Sequence, residues 1–252
     1  MSTDLFWRAA GASDVGKVRR VNEDAWLARP ELALFAVADG LGGHARGDFA
    51  SRTVVEELAG LSAETDLDRL EAAVRAALGR AHGRIRAEAG RQGASIGTTV
   101  AALLARGGEA VGLWAGDSRI YRLREGRLEP LTRDHSTVQE MVDRGLLAPE
   151  EARLHPWRNR ITRAVGTRPQ LELERRTVEL RAGDLVLLCT DGLTGPLEEK
   201  AIASLLVRHR LAAVGPLIAA TLEHGAPDNV TVVVGELLVD PDRTVPGLGP
   251  AR

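Results

Sequence analysis

Short apolar runs, separated by polar or turn-forming residues, mark the first forty positions of the chain. The runs at residues 5–10 (LFWRAA), 24–29 (DAWLAR) and 32–38 (LALFAVA) have the length and composition of β-strands. Two longer stretches follow, at residues 48–61 and 67–89, in which apolar side chains recur every three or four positions. This spacing predicts two helices, each with one apolar face.

Strand patterns resume after residue 96 and come in adjacent pairs. The dipeptides Gly107-Gly108 and Glu125-Gly126 each separate two such runs, which predicts two β-hairpins. The remaining predicted elements are a short polar helical segment at 136–156, strands at 172–180, 184–189 and 229–239, and a helical block at 198–224.

Hairpin-linked strands with helices grouped in blocks favour an α+β fold with antiparallel sheets. Strands as apolar as residues 32–38 and 184–189 predict sheets that are covered on both faces. No Gly/Pro/Ser-rich linker interrupts the middle of the chain, so we expect one domain over residues 1–240. Residues 241–252 are rich in proline and glycine and are expected to form a disordered tail.

Composition narrows the class of protein. The 252 residues are 44% hydrophobic and 27% charged, as in ordinary globular proteins, and a net charge of −2 gives no electrostatic argument for nucleic acid or a membrane surface. Cys189 is the one cysteine, so an internal disulfide and a cysteine-rich zinc site are excluded. The sequence has neither a signal-peptide pattern nor an unbroken apolar run of about 20 residues, so a cytoplasmic location is expected.

Aspartates stand at the ends of several predicted strands, next to glycine or asparagine. Each alone has an alternative interpretation as a turn or capping residue. Carboxylates that converge repel one another, however, and oxygen-only ligand sets suit Mg²⁺ or Mn²⁺. Together the aspartates predict a metal site, and they are Asp24, Asp39, Asp117, Asp191 and Asp228.

Short motifs around these aspartates occur in a characteristic order. They are S-D-x-G-x-x-R at 13–19, N-E-D at 22–24, A-D-G-x-G-G-H at 38–44, G-T-T at 97–99, G-D-S-R at 116–119, D-H-S at 134–136, C-T-D-G-L at 189–193 and D-N-V-T at 228–231. In this order they resemble those of the metal-dependent PP2C-type (PPM) protein serine/threonine phosphatases of bacteria. The resemblance implies a central antiparallel β-sandwich flanked by helix pairs, in four layers α/β/β/α.

The resemblance also implies a pair of Mn²⁺ or Mg²⁺ ions. Asp39 would bridge the two ions, and the carbonyl of Gly40 would bind one of them. Asp191 and Asp228 would complete the shell of the other metal, and Asp24 would act on the second through water.

Three further positions follow from the same resemblance. Asp117 matches the ligand of a third, looser ion, and Arg19 falls where the family binds the substrate phosphate. Leu41 occupies the position that supplies a proton donor in other members. His44 is therefore a candidate for substrate binding or proton donation, with a structural loop histidine as the alternative.

The activity so implied is hydrolysis of phosphoserine and phosphothreonine by direct attack of a hydroxide that bridges the two metals. The expected partners are phosphorylated proteins, among them a cognate Ser/Thr kinase and its substrates, with no nucleic acid or membrane, and the expected state is a monomer. Two alternatives stay open. One is a non-catalytic pseudophosphatase or regulatory binding protein, and the other is a phosphatase of small phosphorylated metabolites.

Residues 136–160 lie where the family carries a mobile flap beside the metal site, and their charged composition is typical of a surface segment that sets specificity. In its short single-domain length and in the stretches LWAGDSRIYRLR and LLAPEEARLHP, the chain resembles the small phosphatases that oppose a Ser/Thr kinase in bacterial type VI secretion clusters. Others of similar size serve general kinase–phosphatase pairs, so both settings are retained.

Overall fold

Two antiparallel β-sheets lie face to face in the computed structural model of the chain, which describes residues 5–41, 46–152 and 154–240. Elements are numbered in chain order. The first sheet has the order β1 (Leu5–Asp14), β11 (Val230–Val239), β10 (Leu185–Cys189), β7 (Arg119–Arg124) and β8 (Arg127–Pro130). The second has the order β2 (Asp24–Arg29), β3 (Leu34–Leu41), β5 (Val100–Arg106), β6 (Glu109–Ala115) and β9 (Glu174–Glu179), with the short β4 (Gly97–Thr98) paired to β3.

Helices cover the outer faces of both sheets. α1 (Gly47–Ala59) and α2 (Leu67–Gln92) pack on the second sheet, and α6 (Glu199–His209) and α7 (Val214–Glu223) pack on the first. The remaining helices are the short α3 (Thr137–Asp143), α4 (Pro149–Ala152) and α5 (Asp191–Thr194), and 3-10 turns lie at Pro30–Leu32 and Arg210–Ala213.

Three apolar clusters separate four layers. Leu78 and its neighbours on α1 and α2 pack on the second sheet, and Phe35 lies in the cluster between the two sheets. Leu206 and Leu217, on α6 and α7, pack against the outer face of the first sheet. The fully buried strands explain why residues such as 184–189 are apolar on both faces. The predicted α/β/β/α sandwich is confirmed.

Most predicted elements are present, and two of them contain a break that the sequence did not predict. The hairpin turn at Glu125-Gly126 has φ of 50° and 80°, as expected for a tight two-residue turn. The predicted strand at 97–105 is interrupted at Thr99, whose Oγ1 accepts a hydrogen bond from the N–H of Asp39. The predicted helical block at 198–224 is divided at Arg210, where φ is 48°.

That block, Glu199–Glu223, has the length and mean hydropathy of a membrane-spanning helix, 25 residues and 1.4, and is the one such stretch among the described residues. In the fold it is two helices joined by a 3-10 turn. Ile202, Leu206 and Leu217 are buried against the first sheet. Packing on the sheet therefore accounts for these apolar positions.

The predicted flap, residues 136–160, leaves and rejoins the sandwich at one point. Ser136 and Ile161 form an isolated β-bridge there, and α3 and α4 lie between them. Trp157 is 47% exposed and contacts neighbouring side chains of the same segment. The flap role of the segment stays a prediction, and the predicted tail at 241–252 lies outside the described residues.

Candidate metal centre

Two of the predicted aspartates lie opposite each other in the second sheet. The register of β2 and β3 pairs Asp24 with Asp39 across the strands. Opposed residues of antiparallel strands bring their side chains to about 4.5–5.5 Å, and like charges in that position destabilise the pair. The strand pair therefore needs protons or cations between its two carboxylates.

Hydroxyl groups from the first sheet fix one oxygen of Asp24. Thr190 Oγ1 and Thr231 Oγ1 donate to Asp24 Oδ2 at 2.9 and 2.6 Å, whereas Oδ1 is buried without a hydrogen-bond partner. Burial raises the pKa of Asp24 to about 7, and the charge of Asp191 adds to this while the two hydroxyls oppose it. The carboxylate is thus held by one oxygen and has the other available to a ligand.

Threonines lock the main chain of Asp39. Its N–H donates to Thr99 Oγ1 at 2.9 Å, and its carbonyl accepts from the Thr99 N–H and from Thr98 Oγ1, each at 2.9 Å. Burial, followed by the charges of Asp24 and Asp191, raises the pKa of Asp39 well above its usual range. The main chain at this position is therefore fixed by three hydrogen bonds.

A glycine brings the next two carboxylates together. A Cβ at Gly192 would lie 1.8 Å from the carbonyl oxygen of Asn229, so only glycine lets the turn after β10 touch the chain before β11. The contact places Asp191 beside Asp228. After burial, the charge of Asp228 raises the pKa of Asp191 to about 6, while a hydrogen-bonding contact with Asp39 opposes the rise.

Asp117 completes the group from the end of β6. It is buried, at 6% exposure, and burial followed by the charge of Asp191 raises its pKa well above the usual range. Ser118, the next residue, shares a hydrogen bond of 2.7 Å with Thr99 Oγ1. The loop that carries Asp117 is therefore tied to the same threonine that fixes Asp39.

The donor set fits a hard divalent cation. Oδ1 atoms of Asp24, Asp117 and Asp191 are buried without hydrogen-bond partners, which is costly unless a cation, or a water bound to one, takes them. In the described ranges, no three His, Cys, Asp or Glu side chains form a ready-made shell, so water and main-chain oxygens would complete it, as is usual for Mg²⁺ and Mn²⁺. Gly40 follows Asp39, and a Cβ there would lie 2.3 Å from the carbonyl oxygen of Gly47, so its main chain packs against the start of α1.

Arg19 stands at the rim of this acidic group. Its Nη2 lies 2.7 Å from Asp228 Oδ2, and its side chain is 52% exposed. The hydrogen bond to Asp228 and the charge of that carboxylate raise the pKa of the guanidinium. An exposed guanidinium beside the carboxylates can exchange its partner for a phosphate. His44 lies outside the described residues, and its role stays a prediction.

A cleft of about 390 Å³ opens beside Asp117 and Asp191, under the predicted flap. Val138, Val142 and Pro149 line its flap side. The acidic group is therefore reached from solvent through a space that combines carboxylates on one wall with apolar side chains on the other.

Two residues outside the group, His135 and Cys189, have structural roles. His135 accepts from the Gly116 N–H at 3.1 Å and contacts Glu174 at 2.8 Å, which stabilises the turn before Asp117. Cys189 is buried, and burial raises the pKa of its thiol to about 12, so it acts as a small apolar side chain.

Sequence reasoning missed the residues that hold the aspartates in place. Thr190 and Thr231 donate to Asp24, and Glu23 accepts the Gly47 N–H at 3.1 Å at the start of α1. Asn229 binds the main chain on both sides of a neighbouring loop. The available signal was that each of these polar residues stands within three positions of a predicted metal-binding aspartate, inside the N-E-D, C-T-D-G-L or D-N-V-T motif.

Comparison with known proteins agrees with this geometry. Residues 16–230 match the family Protein phosphatase 2C. The chain is 41% identical over 239 residues to the serine/threonine protein phosphatase PstP of Mycobacterium tuberculosis, a match that covers 93% of the chain and 46% of PstP. It is 32% identical to the serine/threonine phosphatase Stp of Listeria monocytogenes, which it covers to 96%.

Solved structures resemble the fold over the same range. PppA, described as a key regulatory component of T6SS in Pseudomonas aeruginosa, is 43% identical with a TM-score of 0.86, covering 93% of this chain and 100% of PppA. The catalytic domain of PstP, solved in complex with two manganese ions, is 38% identical with a TM-score of 0.81, covering 93% of this chain and 100% of that domain. The chain spans about half the length of the first curated relatives it matches, 46% in each case.

Proposed function

The chain belongs to the protein phosphatase 2C family, and on that premise we propose that it hydrolyses phosphoserine and phosphothreonine esters of proteins. The observation that carries this proposal is the convergence of carboxylates from both sheets at one edge, three of them with a buried oxygen that has no partner. A binding protein without catalysis has no need of such a group, because uncompensated buried carboxylates destabilise the fold.

The residues would divide the work as follows. Asp39, Asp191 and Asp228 would hold the two core ions together with the carbonyl of Gly40, and Asp117 would hold a third. Divalent cations bound there supply an activated water and positive charge opposite the phosphoryl oxygens.

The chain's own groups do the rest. Asp24, held by Thr190 and Thr231, accepts a hydrogen bond at Oδ1 from a water of the site and fixes its direction. Arg19 leaves Asp228 and donates two N–H groups to the phosphate of the substrate, which positions the ester for in-line attack. His44 is the candidate donor of a proton to the leaving alkoxide.

In finer detail, we propose that the substrates are a Ser/Thr kinase and the proteins it phosphorylates, and that the protein works as a cytoplasmic monomer. The likeness to PppA supports type VI secretion control as the specific setting. Co-expression with the candidate kinase tests this, because the phosphothreonine content of the kinase should fall with the intact protein and stay high with Asp39→Asn.

The activity is tested on purified protein stripped with EDTA and then supplied with Mn²⁺ or Mg²⁺. Phosphate release from a phosphothreonine peptide and from p-nitrophenyl phosphate should be lost in EDTA and return with metal. Full turnover in EDTA would overturn the metal assignment. Binding of the peptide without release in Mn²⁺ would favour the pseudophosphatase alternative, and faster release from sugar phosphates than from the peptide would favour a metabolite phosphatase.

A further inference from the structure

The loop at residues 15–21, between β1 and β2, is closed at its base by one side chain. Asn229 Nδ2 donates to the carbonyl oxygens of Val15 and Val21, at 2.9 and 3.0 Å. Its Oδ1 accepts from the N–H of Glu23 at 2.8 Å. Asn229 adjoins Asp228, so the loop is fixed directly to the edge that carries the metal ligands.

Two more contacts hold the loop against this edge. The Lys17 N–H donates to the carbonyl oxygen of Ala226 at 2.9 Å, and the Gly16 N–H donates to Asp14 Oδ1 at 2.8 Å. Arg19, at the middle of the loop, reaches Asp228. Residues 15–21 therefore form a loop with a fixed position beside the metal site, which we call the platform.

The outer side of this platform is exposed and positively charged. All of residues 17–21 are exposed, with Val18 at 67% and Val21 at 57%. Arg19 forms an ion pair with Asp228. Lys17 and Arg20 pair with no carboxylate in the part of the chain that the structure describes. Arginines elsewhere on the surface commonly pair with a glutamate or aspartate, as Arg175 does with Glu71. Two unpaired cations beside a phosphate-binding arginine thus form a basic surface next to an acidic site.

We propose that Lys17 and Arg20 dock the stretch of substrate next to the phosphorylated residue, and that this stretch carries a second anionic group. The proposal rests on the proposed function, because it concerns the substrate of the same site. The second group is a phosphate or a carboxylate, since both present oxygens to an ammonium or guanidinium. Val18 and Val21 flank the cations and offer apolar contact to the same stretch.

The expected size of the effect is modest. Two exposed ion pairs together predict a preference of about two- to thirtyfold in kcat/KM. Because exposed pairs are screened by salt, the preference should shrink at high ionic strength.

Three peptides test the proposal. They share one phosphothreonine and differ at the residue two positions away, which is alanine, glutamate or a phosphonate analogue of phosphothreonine. The phosphonate carries charge without a cleavable ester, so the phosphate released always comes from the same residue. The readout is the ratio of kcat/KM for the glutamate or phosphonate peptide to that for the alanine peptide, with p-nitrophenyl phosphate used to normalise each preparation.

The double variant Lys17→Ala/Arg20→Ala should lose the preference, and Lys17→Glu/Arg20→Glu should reverse it. The matched control is Lys200→Ala/Arg208→Ala, which removes one lysine and one arginine from exposed positions of α6 and should retain the preference. A preference for the phosphonate peptide alone supports docking and identifies a second phosphate as the group.

Equal kcat/KM for all three peptides with the unaltered protein would overturn the proposal, as would equal loss of preference in the α6 control. Either result leaves the proposed function standing, since the peptides are still cleaved. Failure of the proposed function would show differently, as absence of metal-dependent cleavage of every peptide.

Discussion

Strand β10 has an aspartate with a buried carboxylate oxygen at each end, and the two ends have opposite surroundings. Before the strand, Asp184 is buried and accepts from Arg124 Nε and Nη2 at 2.8 and 2.6 Å and from the Arg181 N–H at 2.8 Å. After the strand, Asp191 faces Asp228 and has an Oδ1 without any partner. One strand thus carries a satisfied carboxylate at one end and an unsatisfied one at the other.

The difference teaches that burial of an aspartate at a strand end says little about function by itself. A buried carboxylate with a bidentate arginine is part of the structure. A buried carboxylate whose neighbours are other carboxylates lowers stability unless a cation binds, so it marks a site. The two ends of β10 allow this distinction to be measured within one protein.

The largest expected effect is on catalysis. Asp191→Asn should lower kcat for p-nitrophenyl phosphate by two orders of magnitude or more, roughly, because it removes charge from the metal centre. Asp184→Asn should leave kcat within about threefold, since Asp184 is at the far end of the strand. Steady-state rates of the two variants in Mn²⁺ decide this, and similar losses in both would contradict the distinction.

Stability should respond in the opposite order. Asp184→Asn should lower the free energy of unfolding by about 2 kcal/mol, because the charge-assisted hydrogen bonds to Arg124 are weakened. Asp191→Asn, measured in EDTA at neutral pH, should leave stability unchanged or raise it, because it removes a repelling charge. Urea unfolding monitored by tryptophan fluorescence provides both values. A marked loss of stability in Asp191→Asn would mean that this carboxylate also supports the fold.

The contrast between the ends of β10 also shows where sequence reasoning stops. Both aspartates appear in the sequence as the polar neighbours of one apolar run, AGDLVLLCTD. Arg124, which donates hydrogen bonds to Asp184, is 60 positions away in the chain, so no local sequence pattern predicts this pair. Asp191 was singled out because strand-end aspartates recur along the chain and because it lies in the C-T-D-G-L motif at 189–193.

The strands and hairpins were predictable because alternation and turn residues act over a few positions. The hydroxyl donors to Asp24 were not, because Thr190 and Thr231 are 166 and 207 positions from it. The break at Thr99 was missed for the same reason, since its cause is the main chain of Asp39 in another strand.

The pH dependence of the metal-free protein sharpens the comparison further. Burial raises the pKa of Asp24 to about 7 and that of Asp191 to about 6, from 3.8 for the unperturbed side chain. At pH values between the unperturbed pKa and these raised values, the two aspartates keep their protons in the folded state and lose them in the unfolded state. The free energy of unfolding therefore falls as pH rises from about 4 to about 7. In EDTA, the melting temperature should therefore be lower at about pH 7.5 than at about pH 5.

A variant isolates this contribution. Asp24→Asn mimics the protonated side chain, so its melting temperature should change less between the two pH values than that of the unaltered protein. Equal changes in both proteins would mean that Asp24 does not contribute to the pH dependence.

The smallest expected effect concerns the space that Asp191 faces. The cleft beside Asp191 is lined on its flap side by Val142 and Pro149, which are not among the predicted metal ligands. Replacing residues 140–156 with a Gly/Ser linker should spare hydrolysis of p-nitrophenyl phosphate and reduce dephosphorylation of a partner kinase severalfold. Equal losses on both substrates would show that the segment supports the metal centre instead of specificity.

The most direct test of the account is a calorimetric titration of EDTA-stripped protein with Mn²⁺, because the central claim is that the unsatisfied carboxylates exist to bind metal. The unaltered protein should bind at least two ions, and Asp184→Asn should bind the same number. Asp39→Asn should lose both core sites, since Asp39 would bridge them. Unchanged Mn²⁺ binding in Asp39→Asn, or no binding by the unaltered protein, would contradict the account.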